Sequence, residues 1–181
     1  MHMIAASTLL LAFFALLAAV DGVYLHLWKF RLHARPRSWM EHVWHTISAV
    51  LFVPILITLF LAPTAGPVLW AGVALLGLLH IVEVFDVKAE RDSRTELGGL
   101  PRAELALHWV LVGTRSISTA LALVARPSAA WSMSAPLTIG AHPAWVTALV
   151  GVIVPGTIAI AVLHLVLAWR YRPIGCCAVA T

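Results

Sequence analysis

Five long apolar runs dominate the chain, at about residues 4–30, 38–62, 67–88, 103–125 and 144–169. Each reaches the roughly 20 residues that a helix needs to cross a hydrocarbon core. Polar residues within the runs recur at spacings of three and four, which is helical periodicity. The expected fold class is all-α: a polytopic transmembrane helix bundle with five spanning helices. Residues 1–181 are expected to form a single integral membrane domain.

The connections are short and carry turn signals. Pro63 and Pro67 bracket a tight turn, and residues 89–101 form a charged loop ending in Gly98-Gly99-Leu100-Pro101. Residues 127–143 are rich in Ser, Pro and Ala, and Pro155 predicts a kink in the fifth span. No internal repeat or low-complexity tract interrupts this plan.

Basic residues set the expected orientation. Lys29, Arg31, Arg35 and Arg37 follow the first span, and Lys88, Arg91, Arg94 and Arg102 lie between the third and fourth. Arg170 and Arg172 follow the fifth, whereas only Arg126 marks the opposite side. The positive-inside rule then places the N-terminus outside and the C-terminus in the cytoplasm. The first span has no basic residue before its apolar run and four after it, the charge order of a retained anchor rather than a signal peptide. The expected location is a bacterial inner (plasma) membrane. Trp28, Trp39 and Trp169 fit an inner aromatic belt, and Trp70, Trp131 and Trp145 an outer one.

Composition sharpens this picture. Only 11% of the 181 residues are charged, against about 25% in soluble domains. Hydrophobic residues make up 61%. The net charge of +4 comes from short loops between apolar runs, so it points to membrane orientation and not to nucleic acid. The chain has no Asn and no Gln. Buried polar contacts therefore fall to His, Asp, Glu, Arg, Ser and Thr. Cys176 and Cys177 are adjacent, a spacing that implies no disulfide framework, and are expected in a reduced tail.

The ionisable residues are not scattered. At about 1.5 Å per residue, His26, His42, His45, His80, Glu83, His108 and His164 all fall about 8–13 Å inside the inner interface. They come from all five spans. All eight acidic residues lie on the same half of the topology, and only His2 and His142 among the histidines lie outside it. Spacings of three or four place Glu41 with His45, His80 with Glu83, and Glu104 with His108 on common helix faces. Such polar stripes turn inward in lipid.

Imidazoles with carboxylates suit iron, zinc or manganese. The candidate ligands are His26, His42, His45, His80, Glu83, Asp86, Glu104 and His108. Glu83 and Glu104 are the candidate general bases. The leading expectation is a membrane-embedded, non-haem metal-dependent enzyme with one or two ions, iron or zinc favoured. It would be an oxidoreductase or hydrolase acting on a lipid-soluble small molecule from the cytoplasmic leaflet. The alternative is a b-type haem or electron-transfer subunit with axial ligands such as His42 and His108. A transporter or sensor, or a structural subunit with a membrane protein partner or a homo-oligomeric arrangement, is a further alternative.

Other charges have simpler expected roles. Glu90, Asp92 and Glu96 read as a solvated helix end. His33 reads as a headgroup contact. His26 or His164, each taken alone, reads as a helix–helix hydrogen bond. Asp21 and Arg115 both lie about 20 Å deep, which predicts an ion pair between them, joined by Tyr24.

Overall fold

A computed structural model describes residues 2–173. Cys176 and Cys177 lie outside the described residues. The described chain is all-helical, with five helical segments long and apolar enough to cross a membrane. Helix α1 spans His2–Ala19 and continues as a π-helix over Val20–Lys29. Two short 3₁₀ turns, Leu32–Ala34 and Pro36–Ser38, lead into α2, Trp39–Leu56. A π-helical segment, Ile57–Leu61, ends that span. Helices α3 (Gly66–Ser93), α4 (Arg102–Val124) and α5 (Ala144–Arg170) complete the bundle.

The sequence boundaries and the helices agree closely, with two differences. Helix α3 extends beyond residue 88 to Ser93, so part of the expected charged loop is helix. Helix α5 is continuous through Pro155, and the second span changes to a π-helix after Leu56, shortly past Pro54.

Packing order follows from side-chain size and polarity. α4 lies along α1, α2 lies between α3 and α5, and α5 also touches α1. Small residues let α1 and α4 approach closely. There Ser7 Oγ donates to the Ser118 carbonyl at 2.7 Å, and Ser118 Oγ donates to the Ser7 carbonyl at 2.8 Å. Gly72 of α3 plays a similar part against the π-helical segment that ends the second span, because a Cβ there would stand 2.5 Å from Leu59 Cδ2. α3 and α4 are joined mainly by charged side chains, described below.

The bundle divides into two halves. One half holds an apolar core around Leu11, Ile55, Leu59, Phe60, Leu69 and Val150. The other, ending at Arg94, holds nearly all the buried ionisable groups. The outward surface is apolar, with Leu16, Trp109, Val152 and Trp169 all exposed. Such a surface suits lipid as its solvent.

At the end opposite Arg94, residues 63–66 pair with the connection between α4 and α5. Ala65 N–H donates to the Leu137 carbonyl and Ile139 N–H to the Pro63 carbonyl, both at 2.9 Å. Gly66 starts α3 with φ of +57°, and a Cβ there would lie 2.7 Å from the Ala135 carbonyl oxygen. Both the dihedral and the space exclude a side chain. Gly66→Ala is expected to lower stability by about 1–3 kcal/mol, read as thermal unfolding of the detergent-solubilised protein.

Candidate metal centre

The π-helix is the local feature that starts the site. In an α-helix, residues five apart point about 140° away from each other. A π-helix hydrogen-bonds five residues back, so such residues return to one face. Asp21 and His26 are five apart, both buried, with Asp21 Oδ1 3.6 Å from His26 Nε2. Neighbouring helices supply the rest.

His108 of α4 sits between two carboxylates. Its Nε2 lies 3.1 Å from Asp21 Oδ1 and its Nδ1 lies 2.7 Å from Glu90 Oε1. Glu104, one turn before His108, comes within 3.6 Å of His26 Nε2. Potential ligand atoms converge here in two triads, Asp21–His26–His108 and Glu90–Glu104–His108, each with its atoms within 4.8 Å of one another. Small rotations would bring such atoms onto the shell of a bound ion, about 2.0–2.2 Å from its centre.

A second group consists of imidazoles. The ring of His26 lies 4.7 Å from that of His45, centroid to centroid. His45 lies 5.4 Å from His164, and His42 stacks on His164 at 5.2 Å. His33 reaches His42 at 5.8 Å and Tyr171 at 4.8 Å. Gly22 makes room for this assembly: a Cβ there would stand 3.4 Å from His45 Nε2 and 3.6 Å from His164 Nε2. Both ring nitrogens of His26, His42 and His164 are buried without a hydrogen-bond partner. An unsatisfied buried polar atom carries a desolvation cost of about 1–3 kcal/mol. Of these rings, His26 belongs to a ligand triad, and His42 and His164 extend the imidazole group beside it.

Arg94 closes the end of the cluster. It follows α3 and is fully buried. Its Nη1 donates to Glu41 Oε2 at 2.7 Å and to Ser93 Oγ at 2.9 Å, and its Nη2 donates to Glu104. The guanidinium also covers the Phe30 ring at 5.2 Å. Burial works against its charge, but the carboxylates of Glu104 and Glu41 outweigh that and raise its pKa above the ordinary arginine value. Arg94 thus fixes two acidic side chains from α2 and α4 and leaves Glu104 Oε2 buried and free.

The structure departs from the sequence expectations at several residues. Arg115 pairs with both oxygens of Glu83 rather than with Asp21. Asp21 is instead occupied by His108 and His26. Tyr24 is half-exposed and packs on Trp28 at 5.2 Å, outside this network. His80 lies on the exposed face of α3, its Nδ1 2.7 Å from the Leu76 carbonyl of its own helix. That local contact satisfies the ring without an inward partner. Asp86 stands 3.6 Å from His45 Nδ1. His33 is buried among rings rather than set in a headgroup layer. Glu90 is buried on His108 rather than solvated. Glu96 is exposed and pairs with Arg37 at 3.2 Å, as a solvated helix end would.

Residues the sequence analysis did not place in the site include Glu41, Glu90, Arg94 and His164. Glu41 and His164 share the expected depth layer or its edge, a usable signal. For Arg94 the only signal was its charge, which reads equally well as loop chemistry.

A cavity of about 530 Å³ connects the cluster to the apolar half. Asp21, His45, Glu83 and His108 line its polar part, and Phe52, Leu111 and Ile153 its apolar part. Exposed Val87 of α3 and Val112 of α4 border it where those helices are bridged by Glu83–Arg115 and Glu90–His108.

No protein-family model, curated protein or solved structure compared with the chain matches it.

The altered pairing of Arg115 is open to a double-mutant cycle. Arg115→Leu and Glu83→Leu should each destabilise the protein, and together should show a coupling of about 1–3 kcal/mol. The Arg115→Leu and Asp21→Leu pair should be close to additive. Replacing Arg94 with Leu strands Glu41 and Glu104, and should cost about 3–5 kcal/mol, more than either single carboxylate replacement. Thermal unfolding in detergent checks both expectations.

Proposed function

We propose that this chain is a membrane-embedded metalloprotein with one or two non-haem transition-metal ions, acting as an enzyme on a lipid-soluble small molecule. The observation that carries the reading is the convergence of Asp21, His26 and His108, and of Glu90, Glu104 and His108, next to rings whose nitrogens are buried and unpartnered in His26, His42 and His164. Imidazole nitrogens and carboxylate oxygens together make a mixed nitrogen–oxygen donor set, which favours iron, manganese or zinc. His108 touches a carboxylate through each ring nitrogen, so an ion taking one of them would leave the other donating to a carboxylate, the pairing that orients ligand imidazoles.

The cavity supports the substrate class. Its polar end would place a reactive group beside the ions, and its apolar part would take a hydrocarbon or isoprenoid chain. Entry would be lateral, between α3 and α4. Glu104, with one oxygen tied to Arg94 and the other free, is placed for proton transfer at the centre. Glu83 has both oxygens engaged by Arg115, so its role is to tie α3 to α4. A bound ion would supply Lewis-acid or redox chemistry. With the basic end in the cytoplasm, the centre lies in the inner leaflet of the bacterial plasma membrane.

Elemental analysis and an optical spectrum of the purified protein test this reading. Wild type should carry a stoichiometric transition metal. His42→Ala and His164→Ala should each lose most of it, and His80→Ala, on the outer face, should retain it. Equal metal content in all four would overturn the ligand assignment, and a Soret band would transfer the histidines to haem.

A further inference from the structure

The end of the bundle away from Arg94 contains a second cavity, of about 510 Å³, that the proposed metal centre does not use. His2 and Ile4 of α1, Arg126 after α4, and His142 before α5 line it. Arg126 is 8% exposed. Its Nη2 donates to the Leu59 carbonyl at 2.7 Å and the Ala62 carbonyl at 3.2 Å. These contacts close the end of the second span, a common role for a basic side chain at a helix C-terminus. They leave Arg126 Nε and Nη1 buried with no partner. His142 Nε2 is likewise buried and unpartnered.

Backbone carbonyls satisfy hydrogen bonds but do not neutralise a full charge. A buried cation ordinarily finds a counter-ion. No aspartate or glutamate pairs with Arg126 or lines this cavity among the described residues, and all eight acidic residues of the chain belong to the opposite half. Burial lowers the pKa of Arg126, the response of a cation without a counter-charge. Burial, and then Arg126 itself, lower the pKa of His142, against a smaller opposing effect of the Ala62 backbone.

We infer that this cavity binds a phosphate-type oxyanion at the Arg126 guanidinium, with His142 and His2 at its edge. A guanidinium whose hydrogen bonds go only to carbonyls keeps a full charge that a phosphate oxyanion would balance. The same chemistry can arrive as a lipid phosphodiester or as free inorganic phosphate. Met3, Ile4 and Ile139 give the remaining wall an apolar character suited to an acyl chain. This inference stands apart from the metal centre.

Native mass spectrometry of delipidated protein tests it, using phosphatidylglycerol, phosphatidylcholine and inorganic phosphate as separate probes. Wild type should retain one phosphatidylglycerol, and Arg126→Gln should weaken that binding roughly 10- to 100-fold, the loss expected for a charged hydrogen-bonding partner. Arg126→Lys should recover part of it. Displacement of the lipid by millimolar phosphate, or phosphate binding without lipid, would identify the free anion as a source, and indifference to phosphate would identify the lipid headgroup. His142→Ala, which leaves the carbonyl contacts of Arg126 in place, should weaken binding several-fold and serves if Arg126→Gln fails to fold. Equal retention of phosphatidylglycerol by wild type and by the folded variants, with no phosphate binding, would overturn the site.

Discussion

Ionisable side chains within an apolar bundle must neutralise one another, and the arrangement of this protein follows from that constraint. Eight acidic residues and most of the histidines share one half of the molecule. Arg94 and Arg115 answer some of that negative charge, with Arg94 bridging Glu41 and Glu104 and Arg115 holding Glu83. The His108 ring lies against Asp21 and Glu90. What remains is a group of rings with unpartnered nitrogens. Those unpartnered nitrogens, beside carboxylates that converge on His26 and His108, are what the proposed bound cation would satisfy.

The helices are built to bring these groups together. The π-helix turns Asp21 and His26 to one face. Gly22, between them in sequence, leaves space into which His45 and His164 extend. α5 contributes a single buried imidazole, His164, to the cluster, and its other faces are apolar. Each span therefore carries a small polar load, and the load becomes affordable to bury only when all five helices have met. Folding of the bundle and formation of the site are in this sense one event.

Much of this was legible in the sequence. Span number and position follow from run length and hydropathy, because lipid leaves a helix few alternatives. The common depth of the histidines follows from counting residues. Azimuth was harder to read. His80 and Glu83 are three residues apart, yet His80 turns outward because the carbonyl of Leu76 satisfies it locally. A regular helical count also misplaces residues around Asp21, since the π-helix changes the turn angle there. Partner choice was harder still: a residue count sets Asp21 level with Arg115 and Glu83 nearer the interface, yet the Arg115 side chain meets Glu83. Arg94 looked like one more loop cation because its burial depends on how α3 ends against α2 and α4.

Anomalous diffraction from crystals of the purified protein, recorded at the absorption edge of whichever metal it carries, addresses the central claim most directly. A peak is predicted between the clustered rings, about 2.0–2.2 Å from nitrogens of at least two of His26, His42, His45, His108 and His164 and from an oxygen of Asp21, Glu90 or Glu104. Rings that contact only one another or water, with any metal peak elsewhere on the molecule, would contradict it.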